Sequence, residues 1–219
     1  MSAITCTSLT KTLDKNSVVD DITFEVEEGT IAGILGEDGA GKTTLLKLIT
    51  GLLKPTSGTC TLFDADVTRN PAKALKGVGC MVGEPAFYQD LTAQKNLELF
   101  AALFQTGPDE VIDLLDITFP STKVRYLSST MKKLLGIAAA LLGEPRLLIL
   151  DEPLALTPSF RDHVKNLLKE QKEKGNTVLV TTCIPADLKE LASYGVVIRE
   201  GKPVSQGAIK NLDLKGVNP

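Results

Sequence analysis

Histidine occurs once in this chain of 219 residues, and aromatic side chains make up only 5% of it. The single imidazole, His163, lies in a charged run with no second metal ligand or base nearby in sequence, so it reads as a surface residue. Cysteine is sparse as well. Cys6, Cys60, Cys80 and Cys183 stand apart with no C-x-x-C spacing, which excludes a zinc knuckle or a disulfide frame and leaves buried thiols of a reducing compartment. Long apolar runs are missing. The longest near the middle, residues 134–142, falls far short of the roughly 20 residues that a membrane-spanning helix needs. The first residues lack the apolar core of a signal peptide. Charge of one sign is never concentrated, and the net charge of −3 gives no case for nucleic-acid binding. There is no internal repeat, no low-complexity segment and no N-K-x-D base-reading motif of the kind a GTPase carries.

The chain does contain one stretch around which the rest is organised, IAGILGEDGAGKTTLLKLI at residues 31–49. An apolar run of strand length is followed by a glycine-studded loop and then by an amphipathic helical pattern. Gly36, Gly41, Lys42 and Thr43 fit G-x-x-x-x-G-K-[ST] in the strand–loop–helix context that this phosphate-binding motif requires. Glycines let successive N–H groups turn into one concavity, the helix N-terminus adds partial positive charge, and Lys42 reaches the outer phosphates. The Thr43 hydroxyl is suited to Mg²⁺. The competing interpretation, a glycine turn before an ordinary helix, is weakened by a second motif downstream. That motif is LLILDEP at residues 147–153, a buried apolar strand that delivers Asp151 and Glu152 at its C-terminal end, where ligands bind in parallel sheets. Asp151 suits the outer coordination sphere of Mg²⁺, and Glu152 points elsewhere and can polarise an attacking water.

Hydrophobic periodicity supplies the frame. Strands are expected at residues 3–9, 22–26, 31–35, 59–63, 78–82, 147–150, 177–182, 196–199 and 202–204. Helices are expected after Lys42, at 71–75, from Thr92, at 108–115, 128–142 and 159–173, and at about 186–194. The order is strands first, then βα units around a mostly helical insert at about 84–144, which is an α/β arrangement.

With both motifs in place, the whole chain resembles the nucleotide-binding subunit of ATP-binding-cassette (ABC) transporters, and most of all those serving small bacterial exporters. The resemblance runs through residues 18–58, 83–103 and 126–153. It implies a P-loop NTPase fold with a RecA-like core, an N-terminal antiparallel β lobe and a helical subdomain, all within one cassette over residues 1–219. It implies ATP at Gly36, Glu37, Asp38, Gly39, Ala40, Gly41, Lys42, Thr43 and Thr44, with Leu13 against the adenine, Mg²⁺ at Thr43 and Asp151, and Glu152 as the catalytic carboxylate. It also implies a second ATP-binding cassette clamped head to tail, so that Ser128, Ser129 and Thr130 of the signature face the partner's ATP. A transmembrane permease would complete the assembly at the cytoplasmic face of the membrane, with no nucleic acid involved.

Several departures from the family pattern bear on rate. The signature, normally Leu-Ser-Gly-Gly-Gln, stands as Leu127-Ser128-Ser129-Thr130-Met131, which adds side chains where backbone N–H groups approach phosphate. Gly83 stands where the family has a glutamine, Cys183 where it has a histidine, and the loop Leu154–Pro158 is short and lacks its aspartate. A thiol is a poor donor to phosphate. Leu13 replaces a stacking aromatic, and Glu37 and Asp38 place negative charge near the loop or turn it to solvent. Lys132 and Lys133 read as a solvated helix start in preference to a phosphate contact, and Phe87 and Tyr88 as either a docking patch or buried groups. Slow hydrolysis is the expectation, with a catalytically inert structural or regulatory subunit as the alternative.

Overall fold

The structure, a computed structural model, describes residues 1–212. Two long strands open it, β1 (Ser2–Leu13) and β2 (Asn16–Glu27), joined through Asp14 and Lys15, both at positive φ as a tight hairpin turn requires. Along β2 the side chains of Ile22, Phe24 and Val26 are buried, and those between them face outward. β1 pairs on its other edge with β4 (Ser57–Leu62), which pairs with the two-residue β5 (Ala65–Asp66), so an antiparallel sheet runs β2-β1-β4-β5. The first strands are longer than their sequence patterns suggest, because ladder hydrogen bonds carry them into polar residues that hydropathy does not score.

A second sheet runs β10-β9-β3-β8-β7-β6. Its parallel members are β3 (Ile31–Leu35), β6 (Val78–Met81), β7 (Leu147–Leu150), β8 (Thr177–Thr182) and β9 (Tyr194–Arg199), with β10 (Lys202–Ala208) antiparallel at one edge. Every residue of β3, β7 and β8 is buried. That is the signature of strands covered on both faces. The two-residue period then divides them. Leu147, Ile149 and Leu179 pack with α1 (Lys42–Ile49) and with Ile4 and Phe24 of the antiparallel sheet, so α1 is the layer between the sheets. Leu148, Leu150, Val178 and Val180 pack the opposite way, against α5 (Ser129–Leu141) and α6 (Pro158–Glu173). Each such leucine or isoleucine stabilises the fold by about 1.5–3 kcal/mol relative to exposure.

The short α2 (Pro71–Ala74) precedes β6. Between β6 and β7 the chain leaves the sheet and passes through α3 (Ala93–Ala101), α4 (Asp109–Leu114) and α5, with 3-10 turns at Ala102–Phe104 and Val124–Tyr126. Side-chain caps start two of these helices: Thr92 Oγ1 accepts from the Lys95 N–H at 3.2 Å, and Ser128 Oγ accepts from the Met131 N–H at 3.2 Å. Phe87 is half-buried against Phe100, whereas Tyr88 is 66% exposed, so the two aromatics divide between the two roles open to them. The last helix, α7 (Pro185–Leu191), stops three residues short of the expected 194, because Tyr194 already pairs with Ala32 and Ala208 as the first residue of β9.

The expectation of four isolated, buried thiols changes, whereas that of a surface histidine holds. Cys6 and Cys60 are neighbours in space, directly opposite on β1 and β4 with sulfurs 3.3 Å apart, and burial followed by the neighbouring thiol pushes Cys6 well above its usual range. Of the four thiols those two are buried, Cys183 is half-buried and Cys80 is exposed. His163 is exposed but not idle: its Nε2 lies 2.7 Å from the Leu114 carbonyl, linking α6 to α4.

One close backbone approach between helix and sheet is at Gly79 of β6, where an added Cβ would lie 1.8 Å from the Ala140 carbonyl of α5. Gly79→Ala is therefore expected to lower the unfolding free energy by about 1–3 kcal/mol in urea titration. An unchanged midpoint and slope would mean that α5 does not press on β6.

Candidate functional site

The carboxyl ends of β3, β6 and β7 converge on one cavity of about 680 Å³, bordered by Asp38, Gly39 and Gly41 of the loop after β3, the segment 83–85, Asp151 and Glu152, and the first turns of α5. Sheet topology alone accounts for this convergence, since parallel strands end side by side.

The loop after β3 is shaped by glycine at two points. Gly36 packs so closely that a Cβ would sit 2.8 Å from the Ile198 carbonyl; Gly41 has φ +98 and a Cβ there would meet the Val18 carbonyl at 2.5 Å. Between them Ala40 is buried, its N–H donating to the Glu37 carbonyl at 3.1 Å and its carbonyl accepting from the Gly201 N–H at 3.0 Å. Gly41 is also the N-cap of α1, without any side-chain cap. The first-turn N–H groups of α1 thus depend on something other than a side chain, and they carry the positive end of the helix dipole. A phosphate fits that cradle by both charge and hydrogen-bond chemistry.

Lys42 is only 5% exposed, and its ammonium donates to the carbonyls of Gly36 at 2.8 Å and Glu37 at 3.1 Å. The same Nζ lies 3.1 Å from a Glu152 carboxylate oxygen and 3.8 Å from Asp38, whose side chain is 94% exposed. A buried cation is costly unless its protons are engaged. Here they are engaged by the loop itself and by Glu152. An oxygen of Asp38, an oxygen of Glu152 and Sγ of Cys183 lie within 4.8 Å of one another. The Lys42 ammonium already supplies the positive charge that such a group attracts.

Asp151, 6% exposed at the end of β7, ties three segments together. One oxygen accepts from Thr43 Oγ1 at 2.6 Å and from the Gly83 N–H at 3.1 Å, and the other accepts from Thr181 Oγ1 at 2.6 Å. Thr181 Oγ1 in turn accepts from the Glu152 N–H at 2.8 Å. Because the Thr43 proton is directed at Asp151, its lone pairs are left for a hard cation, and a hydroxyl beside a carboxylate is an oxygen donor set of the kind Mg²⁺ takes. Glu152 has φ +47, an unfavourable conformation for a residue with a side chain.

The remaining expected positions divide. Asp38, Gly39, Gly41, Lys42, Thr43, Thr44, Asp151 and Glu152 line the cavity, as does Ser129. Glu37 is exposed, Ser128 caps α5, and Thr130 is half-buried outside the lining. Leu13 pairs with Asn16 at the hairpin tip and is 45% exposed, outside the cavity lining, which Val18 of β2 joins. Lys132 and Lys133 are not a solvated helix start. Both are half-buried and line the cavity, and Lys133 Nζ donates to the Glu152 carbonyl at 3.0 Å. Thr181 was legible in principle, as a polar residue closing a buried apolar strand beside the other strand ends.

The profile of a family described as ABC transporter matches residues 19–155. Among curated proteins, the ABC transporter ATP-binding protein YcbN of Bacillus subtilis (strain 168) is 35% identical over 217 residues, covering 96% of this chain and 70% of that one. The bacitracin transport ATP-binding protein BcrA of Bacillus licheniformis is 36% identical over 206 residues, covering 91% and 67%. A solved structure of the ATP-binding subunit of an ABC transporter superposes with a TM-score of 0.84 at 26% identity, covering 95% of this chain and 91% of that one.

The chain Asp151–Thr181–Glu152 makes a direct prediction. Thr181→Val keeps the shape but leaves an Asp151 oxygen and the Glu152 N–H without that partner, at a cost of about 1–3 kcal/mol in unfolding free energy. Chemical denaturation of the two proteins measures it, and equal stability would show that Thr181 does not brace the site.

Proposed function

The chain belongs to the ABC transporter family as an ATP-binding subunit, and from that premise we propose that it serves a bacterial exporter, binding Mg-ATP and hydrolysing it slowly to drive a separate transmembrane permease. The observation that carries the proposal is the convergence of Lys42, the Thr43–Asp151 pair and Glu152 on one cavity whose floor is the glycine loop. The loop N–H groups and Lys42 bind the phosphates, and Thr43 with Asp151 behind it holds Mg²⁺. Mg²⁺ supplies charge neutralisation at the phosphate oxygens. The outer phosphate competes with Glu152 for the Lys42 ammonium, so nucleotide entry releases the carboxylate. Freed in this way, Glu152 orients a water and takes its proton.

Slow turnover follows from what the cavity lacks. Gly83 offers its N–H to Asp151 and no side chain beyond it, and Cys183 offers a thiol. Losing one aimed contact to the transition state typically costs roughly 10²–10³-fold, and losses within one site do not simply multiply. Ser129 brings a side chain rather than a bare backbone to the cavity edge. In a head-to-tail pair of cassettes that same edge would meet the partner's nucleotide, whether the second cassette is this chain or another. The relative BcrA is a bacitracin transport ATP-binding protein, which supports a role in transport. Among the described residues no helix is long and apolar enough to cross a membrane, so attachment to the cytoplasmic face would run through the permease. The chain acts in this reading as one cassette over residues 1–219, without nucleic acid. Cys183 and Gly83 also favour a second reading, a subunit that binds ATP to stabilise the assembly and hydrolyses nothing.

Calorimetry with Mg-ATP, followed by turnover on the same samples, separates the readings. Lys42→Ala is expected to abolish binding, and Glu152→Gln to keep binding while lowering turnover roughly 10²-fold. Binding with no Glu152-dependent turnover would establish the inert subunit instead, and undiminished binding by Lys42→Ala would remove the phosphate site from the loop.

A further inference from the structure

Glu152 holds an unfavourable backbone conformation, and what holds it there is spread over four segments. Its N–H rests on Thr181 of β8. Its carbonyl accepts from the Ala155 N–H at 3.1 Å and from Lys133 Nζ at 3.0 Å. Its carboxylate faces Lys42. Three of these partners belong to the sheet, its following loop or α1. Lys133 does not: it stands in the first turns of α5, the last helix of the segment between β6 and β7.

We propose that Lys133 is a positioning residue that sets the backbone of Glu152 and so makes the hydrolytic carboxylate answer to the position of the helical segment. The proposal rests on the ATPase reading above. When phosphate draws Lys42 away, the carboxylate loses its tether and only the backbone anchors still fix its direction. A non-glycine residue at φ +47 is disfavoured, because its Cβ crowds the following carbonyl, so its anchors decide whether it stays. Among those anchors Lys133 alone moves with α5. A shift of α5 away from the sheet pulls the ammonium off the Glu152 carbonyl, and a shift toward it restores the bond. Gly83, on the other side of the cavity, has no side chain to make such a link. The stem of Lys133 is half-buried, so the ammonium is held near the carbonyl rather than sampling solvent.

The test uses Lys133→Met, which keeps the stem and removes the donors, and Lys133→Arg, which keeps the charge. In Lys133→Met, hydrogen exchange of the peptide spanning residues 150–156 is expected to speed up at least several-fold, while Lys133→Arg stays near wild type. This readout does not need hydrolysis, so unchanged exchange overturns the inference whatever the enzyme does. Turnover of Lys133→Met is expected to fall by about 10- to 100-fold, the range that misplacement of a reacting group produces. Its ATP affinity stays within about twofold, and Lys133→Arg recovers most of the rate. Combined with Glu152→Gln, Lys133→Met should cause no further loss, because Lys133 acts through that residue. An additive loss, or a loss appearing in ATP affinity, would overturn the proposal, the latter by making Lys133 a phosphate ligand. Wild-type turnover in Glu152→Gln would instead defeat the ATPase reading, leaving the exchange result to stand or fall by itself.

Discussion

A buried carboxylate left without donors would be intolerable at the end of an apolar strand, and Asp151 is the point where the fold answers that constraint. Its two oxygens accept from α1 through Thr43, from the end of β6 through Gly83, and from β8 through Thr181. Three pieces of chain far apart in sequence are registered against one another by a single side chain. The glycine loop depends on this arrangement, because α1 must start where Thr43 can reach Asp151. Glu152 depends on it too, since its N–H hangs from the threonine that Asp151 orients.

The buried Lys42 is the positive counterpart. Loop carbonyls and Glu152 share its ammonium, so the cavity is preorganised around a charge before any phosphate arrives. Electrostatic preorganisation of this type requires little reorganisation at the moment of reaction. It also places Glu152 in a resting contact, so under the proposed function binding and activation become one event rather than two. The two layers of the core secure this geometry. α1 is clamped between the sheets by Leu45, Leu46, Leu48 and Ile49, and α5 and α6 cover the other face.

The family relationship and the departures from its motifs bear on different properties. Belonging to the ABC transporter family accounts for the fold. Under the proposed function, the residues at Gly83, Ser129 and Cys183 bear on rate, through side chains that are missing, added or chemically weaker.

Local signals determined much of this protein. The apolar runs of β3, β7 and β8, the caps Thr92 and Ser128, and the glycine loop with Lys42 and Thr43 are each written within a few neighbouring residues, so the phosphate loop and the DE pair were legible without coordinates. What the sequence could not express are meetings between distant segments. Cys6 and Cys60 look isolated until antiparallel register sets them opposite each other. Val18 gives no local sign of a site role until β2 brings it to the cavity edge. Lys132 and Lys133 look like a solvated helix start until α5 packs on β6 and turns that face over the site. Periodicity reports which face of an element is buried, whereas tertiary packing alone decides what that face meets.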